Sequence, residues 1–187
     1  MGAPSSSWRA TSLLIFVALS SGLVLPAEAR ADEVHFSAYD LRSLFFISKS
    51  SNANRVRYAL RLDRSCQPLG DEPVEAYWQN LEVGPNDLEP LSTLDHLAYG
   101  IVEQHVRKEG TLAIVQLVLR AVKSRPVRVQ ITKVADACRA EVTVLIGDRV
   151  ATLEQVHVTL ESPVSVRHLD ILGRTKDGAQ VEERLSP

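Results

Sequence analysis

Leu44 to Asp63 reads "LFFISKSSNANRVRYALRLD": a solid apolar run, a break of small polar residues, then strict alternation. Val56, Tyr58, Leu60 and Leu62 fall on one side, with Arg55, Arg57, Ala59 and Arg61 on the other, the pattern of a half-buried β-strand. Ser50, Ser51, Asn52 and Asn54 are residues that turns favour for their own backbone hydrogen bonds, so the stretch predicts a β-hairpin. "PVEAYW" keeps the period of two and sets Val74, Ala76 and Trp78 opposite Glu75 and Tyr77. "IVEQHVR" turns at Lys108-Glu109-Gly110 into "TLAIVQLVL", and Pro126 begins "PVRVQIT". "AEVTVLIGDRVATLEQVHVTL" predicts a hairpin with Gly147-Asp148 at its tip, a pair that favours a primed turn. "VRHLDILGR" and "QVEERL" close the series through Lys176-Asp177-Gly178.

One segment departs from this period. In "NDLEPLSTLDHLAYG" Leu88, Leu91, Leu94 and Leu97 recur at threes, Pro90 suits a first helical turn and Gly100 a C-cap. The expected fold is mainly β: a single antiparallel β-barrel or β-sandwich of about nine strands, with one short helix near residues 89–99.

The N-terminus has a different character. Arg9 precedes the apolar run Leu13–Leu25, Pro26 breaks it, and "AEARA" follows with small residues at alternate positions. This predicts a secretory signal peptide over residues 1–31, the run being too short to span a bilayer as a stable helix. Cleavage after Ala29 or after Ala31 satisfies the small-residue rule, and Ala31 is preferred. A lead-in over 32–42 and a single β-rich domain over 43–187 complete the expected organisation. The protein is expected to be exported, periplasmic or extracellular, with no transmembrane span after cleavage. The chain from Asp32 onward carries 19 basic and 22 acidic residues. That balance argues against nucleic acid as the main partner, since such binding rests on neutralising many phosphates.

Export changes the reading of Cys66 and Cys138, the two cysteines of the chain. In an oxidising compartment such a pair bridges, closing a loop worth about 4 kcal/mol in the chain-entropy model. The aromatics are unevenly placed: downstream of the leader, Phe36, Tyr39, Phe45, Phe46, Tyr58, Tyr77, Trp78 and Tyr99 all lie in the first half. The second half must build its core from aliphatic residues. Large rings also make ligand platforms. Tyr77 is the best placed to line a cavity mouth, because alternation sets it opposite Trp78.

Candidate chemistry is sparse. The chain has no Gly-rich phosphate loop and no G-x-S-x-G elbow. Glu103 and His105 share a strand face, two ligands where zinc needs three or four, so a solvated polar face is expected and neither metal nor cofactor is implied. Asp95-His96 is an acid–base pair by adjacency alone and reads as surface. Arg55, Arg57 and Arg61 line one strand face, and Arg120, Lys123, Arg125 and Arg128 gather in "RAVKSRPVR". Both clusters read as solvated charge paired across strands with carboxylates such as Glu75, Glu141 and Glu154.

Taken together, "LFFISKSSNANRVRYALRLD", "PVEAYW", "LAYG", "SRPVRV" and "HLDILGRTKDGAQVEERL" resemble the uncharacterised bacterial family catalogued as domain of unknown function 4833. The resemblance covers roughly Ser43 to Leu185. It makes Asn52, Asn54, Tyr58, Tyr77, Trp78, Tyr99 and Gly100 the conspicuous positions and supports one secreted domain. It brings no activity and no ligand.

The functional expectation is a non-enzymatic binding or interaction module of the cell envelope. Its partner would be a small molecule, a glycan or an envelope protein, held near Asn52, Asn54, Tyr58, Tyr77, Trp78 and Tyr99. The alternatives are an envelope hydrolase built on a histidine–carboxylate pair and a structural assembly subunit that uses an exposed strand edge.

Overall fold

The computed structural model describes residues 41–162 and 165–186. The expected signal peptide and nearly all of the expected lead-in lie outside the described residues. The elements are β1 (Leu41–Lys49), β2 (Arg55–Arg61), β3 (Val74–Gln79), β4 (Leu88–Pro90), α1 (Thr93–Tyr99), β5 (Ile101–Glu109), β6 (Leu112–Leu119), β7 (Val127–Val134), β8 (Ala137–Ile146), β9 (Arg149–Ser162), β10 (Ser165–Arg174) and β11 (Gln180–Leu185).

The chain is mainly β with one short helix, but four expectations need correction. The strands number eleven among the described residues rather than about nine, and they form one sheet that does not close into a barrel. The pairing is also not wholly antiparallel, because β1 runs parallel to β9 from Phe46↔Gln155 to Lys49↔Val158. The helix begins at Thr93, and Leu88–Pro90 is instead a three-residue edge strand, with Pro90 opposite Tyr77. Proline is tolerated at such an edge because no ladder needs its missing N–H.

β9 organises the sheet. One edge pairs with β10 along nearly its whole length, while the other serves β8 as far as Thr152 and β1 from Gln155. Two wings, β1–β4 and β8–β5, therefore leave the same edge. The inward phase of β9 changes between them, from Ala151 and Leu153 to Val156 and Val158. A register shift against β10 at Leu172/Gly173 marks the change. A bulge of this kind lets one strand present apolar residues to both wings.

The wings share one core. Val56, Tyr58 and Leu60 of β2 meet Val115, Leu117 and Leu119 of β6 and Val129 and Ile131 of β7 in a single buried cluster. Beyond Tyr99 the core is entirely aliphatic, as the sequence requires. Gly147 at φ +61 carries the two-residue turn between Ile146 and Arg149, and its N–H donates to Glu183 Oε2 at 2.9 Å. The Cys66–Cys138 disulfide, with Cα atoms 5.3 Å apart, ties the β2–β3 loop to β8.

Candidate functional site

Trp78 shares the inward face of β3 with Ala76 and Val74, opposite Val56, Tyr58 and Leu60 of β2. It lies near the end of the strand, so its ring is only half-buried and forms the wall of an opening. Three groups hold it. Tyr99 meets the ring edge-on at 5.9 Å between centroids. The Lys49 ammonium, at the end of β1, sits 4.4 Å from the ring centroid. The Trp78 indole, a donor only, lies close enough to Asp95 of α1 to help lower its carboxyl pKa.

Asp95 has a second duty. Its side chain accepts from the Ser92 backbone N–H at 3.2 Å while the Ser92 hydroxyl accepts from the Asp95 N–H, the reciprocal capping box that starts α1. Partial burial opposes its ionisation. The hydrogen bonds from Ser92, the nearby Trp78 indole and the Lys49 charge nevertheless hold its carboxyl below the usual range. Asp95 is thus the support of the aromatic platform rather than surface decoration. Periodicity could not reveal this, because the partner lies on another element.

Two loops finish the opening. Asn54 Oδ1 accepts from Leu81 N–H at 3.1 Å, stitching the β1–β2 turn to the β3–β4 loop. Asn52 Oδ1 accepts from Asn54 N–H at 3.2 Å and stays within its own turn. The result is an open cleft of about 200 Å³ lined by Lys49, Asn54, Trp78, Asn80 and Glu89. Asn80 Oδ1 is buried without a hydrogen-bond partner. The cleft therefore offers an aromatic ring, two amides, one ammonium and one carboxylate.

Of the six residues singled out from sequence, Asn54, Trp78 and Tyr99 come together here. Asn52 is exposed in the turn. Tyr58 is fully buried, stacked on Phe45 at 4.6 Å, and its phenol donates to the Tyr99 carbonyl. Burial, with a smaller contribution from Tyr99, raises its pKa. Tyr77 lies on the opposite side of β3 from Trp78, buried, with its hydroxyl on Glu75. Lys49, Asn80, Glu89 and Asp95 were missed. Lys49 carried a weak signal, sitting inside the polar break that interrupts the first hairpin.

Tyr77 borders a second concavity of about 370 Å³, at the open seam where β3 passes β5. The seam is held by Gln104 of β5, whose amide donates to the Val74 carbonyl at 2.8 Å and accepts from the Val74 N–H at 3.0 Å.

The outer face carries a polar row in cross-strand register: Gln79, Arg55, Ser48, His157, Asp170 and Arg184, from β3 through β2, β1, β9 and β10 to β11. Arg55 Nε donates to Gln79 Oε1 at 2.7 Å. Ser48 Oγ lies 2.8 Å from His157 Nδ1 and accepts from Gln155 Nε2 at 2.8 Å. Arg184 Nε donates to Asp170 Oδ1 at 2.6 Å, and His168 Nε2 lies 3.3 Å from Asp170 Oδ2. The hydrogen bond from Arg184 keeps the Asp170 carboxyl below the usual range against the opposing effect of burial.

One member of each basic cluster is ion-paired. Arg61 pairs with Glu75 at 3.0 Å, Arg125 with Glu183, and Arg55 also lies over Phe46 at 4.3 Å. Arg57 and Arg61 each bury an Nε that has no partner, and at Arg57 burial, then the Arg55 charge, lower the pKa. Glu103 and His105 approach to 3.6 Å on an exposed strand face.

The family described as "Domain of unknown function (DUF4833)" matches residues 45–184, almost the full span of the sheet. The chain belongs to the DUF4833 family. No curated protein and no solved structure matches it. The family match begins at Phe45 and ends at Arg184, so the cleft and the polar row both lie inside DUF4833.

Proposed function

We propose that this DUF4833 chain is a non-enzymatic binding module of the cell envelope that holds a small polar ligand, such as a glycan unit, in the Trp78 cleft. The observation that carries the reading is the fixed indole. Asp95, Tyr99 and Lys49 hold the ring beside two amide side chains and two opposite charges. An aromatic surface with a few convergent polar groups is the common composition of a small-molecule site, and a ring held before binding loses little freedom on binding. The Cys66–Cys138 bridge and the basic and apolar leader support an exported location.

The test is a titration of the purified exported form with a panel of soluble envelope saccharides, followed by heteronuclear NMR. The expected result is shifts confined to Lys49, Asn54, Trp78 and Asn80, with Trp78→Ala weakening binding about ten-fold or more while the fold is retained. Saccharide binding that survives Trp78→Ala unchanged, or an absence of shifts in the cleft, overturns the reading.

Ser48 and His157 favour a second reading, an acyl-transfer hydrolase of envelope material. Gln155 fills one acceptor site of the Ser48 hydroxyl, whose proton is then placed toward His157 Nδ1. Ser48 Oγ would attack a carbonyl carbon as its proton passes to His157, which returns it to the leaving group, and water then hydrolyses the ester. The check is labelling with a fluorophosphonate probe. Modification of Ser48 that is lost in His157→Gln supports this reading, and an unmodified Ser48 removes it.

A further inference from the structure

We infer that the seam between β3 and β5 is a second binding site, for a short extended peptide that pairs with the outward backbone of Val74. This does not rest on the Trp78 cleft. Val74 faces Leu60 across the β2–β3 ladder, yet its N–H and C=O both go to the side-chain amide of Gln104. One primary amide thus supplies the donor and the acceptor that a neighbouring strand would supply. The true neighbour, β4, reaches only Tyr77–Gln79 and stops at Pro90. Val74 therefore offers an unfilled ladder position occupied by a surrogate.

The space around it suits a strand. The 370 Å³ groove has an apolar floor of Val74, Ala76, Leu91 and Ile101. Glu72, Arg61 and His96 stand on its rim, and Arg61 is paired with Glu75. Glu72 is exposed and leaves the rim with one net negative charge when His96 is neutral. That charge complements a peptide bearing lysine or arginine. A peptide amide that displaces Gln104 exchanges one hydrogen-bonded pair for an equivalent one, so the exchange itself is close to neutral. The net gain comes from apolar side chains entering the groove, while the ladder supplies direction and register.

The experiment is an NMR titration of isotope-labelled protein with acetyl-Val-Lys-Val-Lys-Val-amide. Two control peptides accompany it: the same sequence N-methylated at the central valine, and a version with glutamate in place of lysine. Shifts should centre on Val74, Ala76 and the Gln104 side chain. N-methylation, which removes the donor and crowds the edge, should weaken binding about ten-fold or more, and the acidic peptide should also bind more weakly. Gln104→Ala, or Gln104→Met if alanine loosens the fold, should bind roughly five-fold more tightly because the internal competitor is gone. The proposal is overturned if Val74 and Gln104 do not shift at millimolar peptide, if the N-methylated peptide binds equally well, or if removing the Gln104 amide weakens binding.

Discussion

The phenol of Tyr58, at the centre of β2, donates its hydrogen bond to the main-chain carbonyl of Tyr99 at the end of α1. This contact joins the first wing to the start of the second and fixes the residue that supports Trp78. Tyr58→Phe keeps the stacking on Phe45 but leaves the Tyr99 carbonyl without this donor. It should cost about 1–2 kcal/mol in urea denaturation. The phenol pKa is raised, so its contribution is fully present below the unfolded value of about 10 and is lost as pH rises further. Stability should therefore fall above about pH 10, and less steeply in the variant. An identical alkaline slope would show that Tyr99, also raised by burial, accounts for it.

Gly100 is needed for closeness rather than for handedness. Its φ is −61°, ordinary for any residue, but a Cβ there would stand 2.5 Å from the His96 carbonyl oxygen. Gly100→Ala should thus displace the end of α1 and destabilise the fold by about 1–3 kcal/mol, read from the thermal midpoint. A midpoint unchanged from the parent would mean that the helix end yields freely.

Acid should loosen the C-terminal hairpin. The folded pKa of Asp170 is depressed by Arg184, so its contribution is present above the ordinary carboxylate range and lost as pH falls through the lowered value. Glu183 behaves alike through Arg125. Urea midpoints measured from pH 6 downward should drop below about pH 4, and Asp170→Asn should lower the neutral midpoint while flattening that drop. A variant with the parent's acid slope would assign the effect elsewhere.

Thiol titration of the exported protein should find no free cysteine. Replacing both Cys66 and Cys138 by serine should cost about 4 kcal/mol in the chain-entropy model, measured by chemical denaturation. Two titratable thiols in the native protein would contradict the bridge.

The first hairpin shows how far local pattern reaches. Alternation placed Val56, Tyr58 and Leu60 inward and the arginines outward, and the structure agrees, because a two-residue period leaves each side chain only one face. The same rule separated Tyr77 from Trp78 and favoured Tyr77 for a cavity mouth, whereas Trp78 lines the cleft and Tyr77 borders the second concavity. That depended on the neighbours of β3. The helix boundary was misplaced because Leu88 and Leu91 kept the spacing of threes across a strand and a loop, and Pro90 fits an edge strand as well as a helix start. Asp95 was set aside for the same kind of reason: its value lies in Trp78, 17 positions away, which adjacency along the chain does not register.

By itself, the sequence determined the β character, the inward residues of most strands, the aliphatic second half of the core, the Gly147-Asp148 turn and the family. These depend on side-chain period, turn chemistry and composition, all of which are local. The tertiary structure alone decided that β1 runs parallel to β9, that β9 changes its inward phase to serve two wings, that Gln104 stands in for a strand at Val74, and that Lys49 and Asp95 converge on Trp78. Each of these is a contact between distant segments, and its selection depends on what two wings can bury together rather than on any pattern within either one.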